Sequence, residues 1–201
     1  MPSVYLPALR QFILEQARPV DKFGHQPRLE ALTDSIGAGL DYDRDVVCAA
    51  LWLHDLGVFI GHRPEEPAAL STWDHVAYAC GKASAILRQA GFAQEKVPAV
   101  LDVIRQHQPK DEPATIEATI LRDADILEQL GAVGILRTVS KVGRDTRFPR
   151  FIDAIAVLRH NLDDLPGKLR LPASRRIAKS RIEILAAFLA AVEAEAGPNL
   201  F

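Results

Sequence analysis

Apolar residues recur at intervals of three and four along almost the whole of this 201-residue chain, and no segment sustains the alternation of a half-buried strand. That spacing commits the chain to amphipathic helices, and the expected fold class is all-α. Breakers divide it into seven or eight helices. The first runs from about Val4 to Arg18, before Pro19. The second begins near His25 and ends at Gly37 and Gly39. Asp43 is a good N-cap for the third, which ends at Gly57. Gly61 to Pro67 reads as a loop. A fourth helix opens at Ser71 or Thr72 and stops at Gly91, and a fifth covers Gln94 to Gln108. The next spans Thr115 to Leu130, breaks at Gly131 and resumes to about Val142. Two more, Pro149 to Asn161 and Ser174 to Ala196, flank a turn at Leu165, Pro166 and Gly167.

The length suits one sizeable core better than two, so the whole chain reads as a single domain whose central part covers about 21–137, with C-terminal helices over 148–197 packing on it. With 24 basic against 26 acidic residues there is no global field to hold nucleic acid or an anionic membrane. Cys48 and Cys80 lie in apolar helical stretches without metal or redox spacing and read as reduced core thiols. The first residues lack the basic and apolar regions of a signal peptide, and no apolar run approaches the roughly 18 residues needed to span a bilayer. A soluble cytoplasmic protein, monomer or homodimer, is expected. The face formed by Ile182, Leu185, Phe188, Leu189 and Val192 on the last helix reads as core rather than dimer interface.

Against this background the placement of polar residues is informative. The apolar run Val46 to Leu56 contains His54 and Asp55, an imidazole beside a carboxylate in a low-dielectric interior, which is costly unless compensated. A metal ion is the usual compensation. His25 begins a helix, His75 lies in the first turn of another, His107 ends the fifth, and Asp123 and Asp125 sit on the helix that follows. Ligands at the ends of successive helices converge readily in a bundle. A nitrogen and oxygen donor set without thiolate suits Mn, Fe, Co, Ni or Mg, with positions left open for water and substrate. His62, in the polar loop, and His160, at a helix end where a cation suits the dipole, read as ordinary histidines.

The order His25-x-x-Arg28-Leu29, His54-Asp55, His75, His107, Ala124-Asp125 resembles the HD-domain metal-dependent phosphohydrolase superfamily. The stretch from Asp123 to Arg137 (DADILEQLGAVGILR) is similar to that of bacterial stand-alone HD proteins, as are Gly167-Lys168-Leu169 and Ala178-Lys179-Ser180-Arg181. The resemblance implies a helical bundle with the metal site between its central helices. His25, His54, Asp55 and Asp125 would be ligands of a primary divalent metal. Asp123, about 200° round a helix turn from Asp125, would cap or orient a ligand histidine. His75 and His107 match positions that either bind a second metal or serve as acid and base. Val58 stands where some nucleotidase members carry a catalytic glutamate, so that acid scheme is not implied.

The activity so implied is hydrolysis of a phosphate ester or anhydride, with a small phosphorylated molecule, a nucleotide, as substrate. The metal would acidify a water, Asp55 would orient it, and His75 or His107 would protonate the leaving oxygen. Arg28, Arg63, Lys82, Arg122 and Arg137 are the candidate phosphate contacts, and the group Lys141, Arg144, Arg147 and Arg150 reads as a solvated turn. Two other classes share this residue pattern: a di-iron oxygenase of the HD type, and a non-catalytic nucleotide-binding regulatory domain.

Overall fold

The Asp43 carboxylate accepts the backbone N–H groups of Asp45 (3.1 Å) and Val46 (3.3 Å) and so starts the helix that leads to His54. In the computed structural model, which describes residues 4–200, that helix is α3 (Arg44–Leu53), and every residue from Val46 to Leu53 is buried. Before it come α1 (Tyr5–Gln16) and α2 (His25–Gly37). After it come α4 (Pro67–Ser71), α5 (His75–Gln89), α6 (Val97–Arg105), α7 (Ile116–Glu128), α8 (Gly131–Val139), α9 (Phe151–Lys168) and α10 (Pro172–Ala196). The fold is all-α. Its one strand-like feature among the described residues is an isolated bridge between Ile60 and Arg63.

The chain divides into two compact units, the first ending at Arg122 and the second starting at Asp123, so the division falls inside α7. In the first unit α3 packs against α1, α2 and α6, while α5 packs against α6 and against a 3-10 turn, Leu56–Val58. A polar tie fixes α1, α2 and α3 together. Glu30 is buried at 9% exposure and receives Arg10 Nη2 at 2.6 Å on both carboxylate oxygens, and Trp52 Nε1 at 3.3 Å. A buried carboxylate demands such partners. In the second unit α8, α9 and α10 pack on one another around Leu158, Leu165, Leu185 and Leu189.

Several expected boundaries shift, each for a local reason. The third helix ends at Leu53, and Gly57 belongs to the 3-10 turn instead of closing the helix. Pro67 opens a short extra helix, as proline at a first helical position does, inside the stretch expected to connect loop to helix. The next helix is capped by Asp74, not Ser71 or Thr72: its carboxylate accepts Val76 N–H at 3.0 Å and Ala77 N–H at 2.9 Å. α9 runs through Pro166 to Lys168, so the expected turn arrives at Leu169, since proline in a last turn removes one hydrogen bond without ending the helix at once. His160 therefore lies inside a helix rather than at its end, 3.8 Å from Asp164. The breaks at Gly91 (φ 78°) and Gly131 (φ 71°) fall where expected. On α10, Leu185 and Leu189 are buried, while Ile182, Phe188 and Val192 are half-buried.

Candidate metal centre

Three helix ends in the first unit deliver the histidines. His25 is the first residue of α2, reached through the 3-10 turn Val20–Gly24. His54 caps the C-terminus of α3, its N–H on the Ala50 carbonyl at 2.9 Å. His107 follows the last turn of α6. All three are buried, at 4%, 0% and 2% exposure.

Two short contacts set the imidazole tautomers. His54 Nδ1 lies 2.8 Å from the Leu51 carbonyl, and His107 Nδ1 lies 2.7 Å from the Ile104 carbonyl. A carbonyl only accepts, so each Nδ1 carries the proton and each Nε2 presents a lone pair. That is the arrangement of a metal-ligating histidine oriented by a backbone acceptor.

Asp55 sits just past the helix, at φ −97° and ψ 11°. Its Oδ2 is 3.6 Å from His25 Nε2 and 3.7 Å from His54 Nε2. These separations exceed a hydrogen bond and are close to the roughly 3.0–3.5 Å expected between two donors on one ion with bonds of about 2.1 Å. His54, Asp55 and His107 each offer an atom within 4.8 Å of the others. The imidazoles form a continuous row: His25 to His54 at 5.5 Å between ring centres, His54 to His107 at 4.8 Å, and His107 to His75 at 5.9 Å. A donor set of this kind, two imidazole Nε2 lone pairs turned inward by protonated Nδ1 atoms on carbonyls and a carboxylate, fits a divalent cation.

His75 opens α5 and is held by close packing. A Cβ added to Gly57 would lie 2.7 Å from the His75 carbonyl oxygen and 2.8 Å from its Cα. The indole of Trp73 donates to the Gly57 carbonyl at 2.8 Å, docking the same turn from the other side. Lys22, three residues before His25, donates to the Val58 carbonyl at 2.7 Å and ties the approach to α2 to the turn after Asp55. Gln108 Nε2 meets His75 Nε2 at 3.4 Å. Gly57, Trp73, Lys22 and Gln108 went unrecognised as site supports in the sequence, where Gly57 read only as a helix breaker and nothing local marked the others.

The candidate phosphate contacts separate. Arg28, half-buried, lies one turn beyond His25, its guanidinium 3.0 Å from a Cβ added to Gly24. Arg63 is half-buried in the turn after Phe59, and Lys82 is exposed with its ammonium 5.6 Å over the Tyr78 ring. Arg122 is buried and donates to the Gln108 and Pro109 carbonyls at 3.2 and 2.8 Å. In the second unit, Arg137 lies 3.4 Å from buried Glu128. There too the Asp123 carboxylate accepts the N–H groups of Arg170 (3.1 Å) and Leu171 (2.8 Å), just ahead of α10. Asp125 is half-buried, and Gln129 Nε2 donates to its Oδ2 at 3.2 Å.

His62 has built surroundings of its own, with Nδ1 3.0 Å from Tyr78 Oη and Nε2 2.9 Å from Gln16 Oε1. The glutamine oxygen accepts, so Nε2 bears the proton and Nδ1 receives the tyrosine hydroxyl. Burial, helped by the Lys82 charge, lowers its pKa from the ordinary histidine value.

The profile of the HD domain matches residues 23–130. The chain belongs to the HD domain family. The matched span contains His25, His54, Asp55, His75, His107 and Asp125. Among solved structures, Bacillus subtilis YpgQ is similar at 22% identity over 98% of each chain, with a TM-score of 0.73. The same protein in complex with ADP matches at 21% identity over 96% of this chain and 99% of that one, with a TM-score of 0.71. An HD-superfamily hydrolase from Bacillus thuringiensis matches at 22% identity over 94% and 95%, with a TM-score of 0.68. No curated protein matches. At these identities the likeness is one of fold, and it extends the HD architecture along nearly the full chain.

Proposed function

We propose that this protein is a metal-dependent phosphohydrolase that cleaves a phosphate ester or anhydride of a nucleotide. The carrying observation is the His25, His54, Asp55 and His107 cluster, with the Nδ1 protons of His54 and His107 committed to carbonyls. His25, His54 and Asp55 are the primary ligands in this reading, and the family order adds Asp125. When bound, a divalent cation acidifies a water and polarises a phosphoryl oxygen. Asp55 would also orient the attacking water. His107 and His75 either hold a second cation or pass a proton to the leaving oxygen, a task suited to imidazole near neutral pH. Arg28, Arg63 and Lys82 are the cations proposed to meet phosphate. The nucleotide reading draws support from the ADP complex of the YpgQ neighbour.

Metal analysis coupled to a phosphate-release screen over nucleoside mono-, di- and triphosphates and cyclic dinucleotides tests this. Release with added Mn or Mg, retained under nitrogen, is expected. Stoichiometric iron with turnover only in O2 would instead identify an oxygenase, and tight nucleotide binding without turnover a regulatory domain. Asp55→Ala is expected to lose at least about 100-fold in rate while its helical circular dichroism stays near wild type. Retained activity refutes the role given to Asp55.

A further inference from the structure

Arg122 is 2% exposed, and arginine keeps its charge in such surroundings. Burying a cation is expensive unless its donors are well used. Two of them reach adjacent peptide groups: Nε donates to the Gln108 carbonyl at 3.2 Å and Nη2 to the Pro109 carbonyl at 2.8 Å. The loop held in this way begins at His107. Its next residue, Gln108, reaches His75 Nε2 with its side chain at 3.4 Å, while its N–H rests on Asp111 Oδ2 at 2.9 Å. One guanidinium thus fixes the backbone from which both the His107 imidazole and the arm toward His75 extend.

We propose that Arg122 is a positioning residue for the His75 and His107 pair and not a phosphate contact; its catalytic consequence rests on the phosphohydrolase reading above. The planar fork is what the geometry uses, since it places two donors at fixed spacing on consecutive carbonyls. A lysine carries the charge without the fork and does not replace it.

The test compares Arg122→Lys, Arg122→Met and Gln108→Ala with the wild-type chain. Long-range proton–nitrogen correlation of the imidazoles is recorded without substrate. Both arginine variants are expected to move or broaden the His75 and His107 signals while those of His25 and His54 stay in place. Gln108→Ala is expected to move His75 alone. In phosphate release, Arg122→Lys should lower kcat by about 10–100-fold with KM within about twofold, as a small misplacement of a reacting group does. Unmoved imidazole signals in folded Arg122→Lys overturn the proposal. A raised KM at unchanged kcat overturns it too, in favour of phosphate contact. If Arg122→Met does not fold, the lysine and glutamine variants decide. If the wild-type chain releases no phosphate, the functional reading falls, and the imidazole spectra still decide what Arg122 positions.

Discussion

Single atoms decide much of the site. Gly57 has no special backbone angle, yet any side chain there would meet the His75 backbone at 2.7 Å. Gly57→Ala should cost about 1–3 kcal/mol by overpacking, read from urea melts. It should also slow phosphate release, because the clash is with the His75 backbone and relief requires that residue or the turn after Asp55 to shift. His62 supplies a second residue-scale test. Its folded pKa lies below its ordinary value, so the folded state binds the proton less readily than the unfolded chain does. Stability is therefore complete above the ordinary histidine range and declines as pH falls through it toward the lowered value. His62→Gln should flatten that acid limb in Tm measured from pH 7 to pH 5. Burial pushes the Cys48 thiol up to about 12, which agrees with its reading as an inert core thiol.

At the scale of elements, helix ends matter more than helix interiors, because His25, His54, His75 and His107 all sit at or beside them. α3 illustrates the dependence. Asp43 caps its start, bonds to Lys96 at 2.7 Å and has its own N–H on Glu117 Oε1 at 2.9 Å. Asp43→Ala should lower stability by about 1 kcal/mol, visible as a lower urea midpoint at unchanged slope. Metal affinity should weaken with it, since the same helix ends in His54. The cap at Asp43 and the left-handed glycines 91 and 131 were legible in the sequence, because caps and positive-φ turns are written in neighbouring residues. Asp74 carries the same signal close behind Ser71 and Thr72, and three neighbouring cap-type residues leave the choice among them to tertiary packing. Pro166 misled, as a proline one turn from a helix end looks like a terminator. The supports of the site were not legible: Arg122 on the Gln108 carbonyl, Trp73 on the Gly57 carbonyl and Lys22 on the Val58 carbonyl join residues 14 to 36 positions apart, with no periodic trace.

For the molecule as a whole, the reading makes stability a function of metal. A cation that binds the native chain alone at 100 times its Kd adds about 2.7 kcal/mol, or roughly 5–10 °C in Tm for a chain of this size. Scanning fluorimetry should show that rise with Mn and its loss with a chelator, and neither change in Asp55→Ala. A Tm indifferent to both Mn and chelator in the wild-type chain counts against the metal centre.

The two indoles of this chain divide the labour of reporting on it. Trp52 is 1% exposed and enclosed by Glu30 and Arg10, whereas Trp73 is half-buried with its N–H on the carbonyl two residues past Asp55. Emission should therefore resolve into a shielded blue component and a redder one open to acrylamide. The quenchable fraction then serves as a built-in optical gauge of the turn that carries the aspartate, without a label or a substrate.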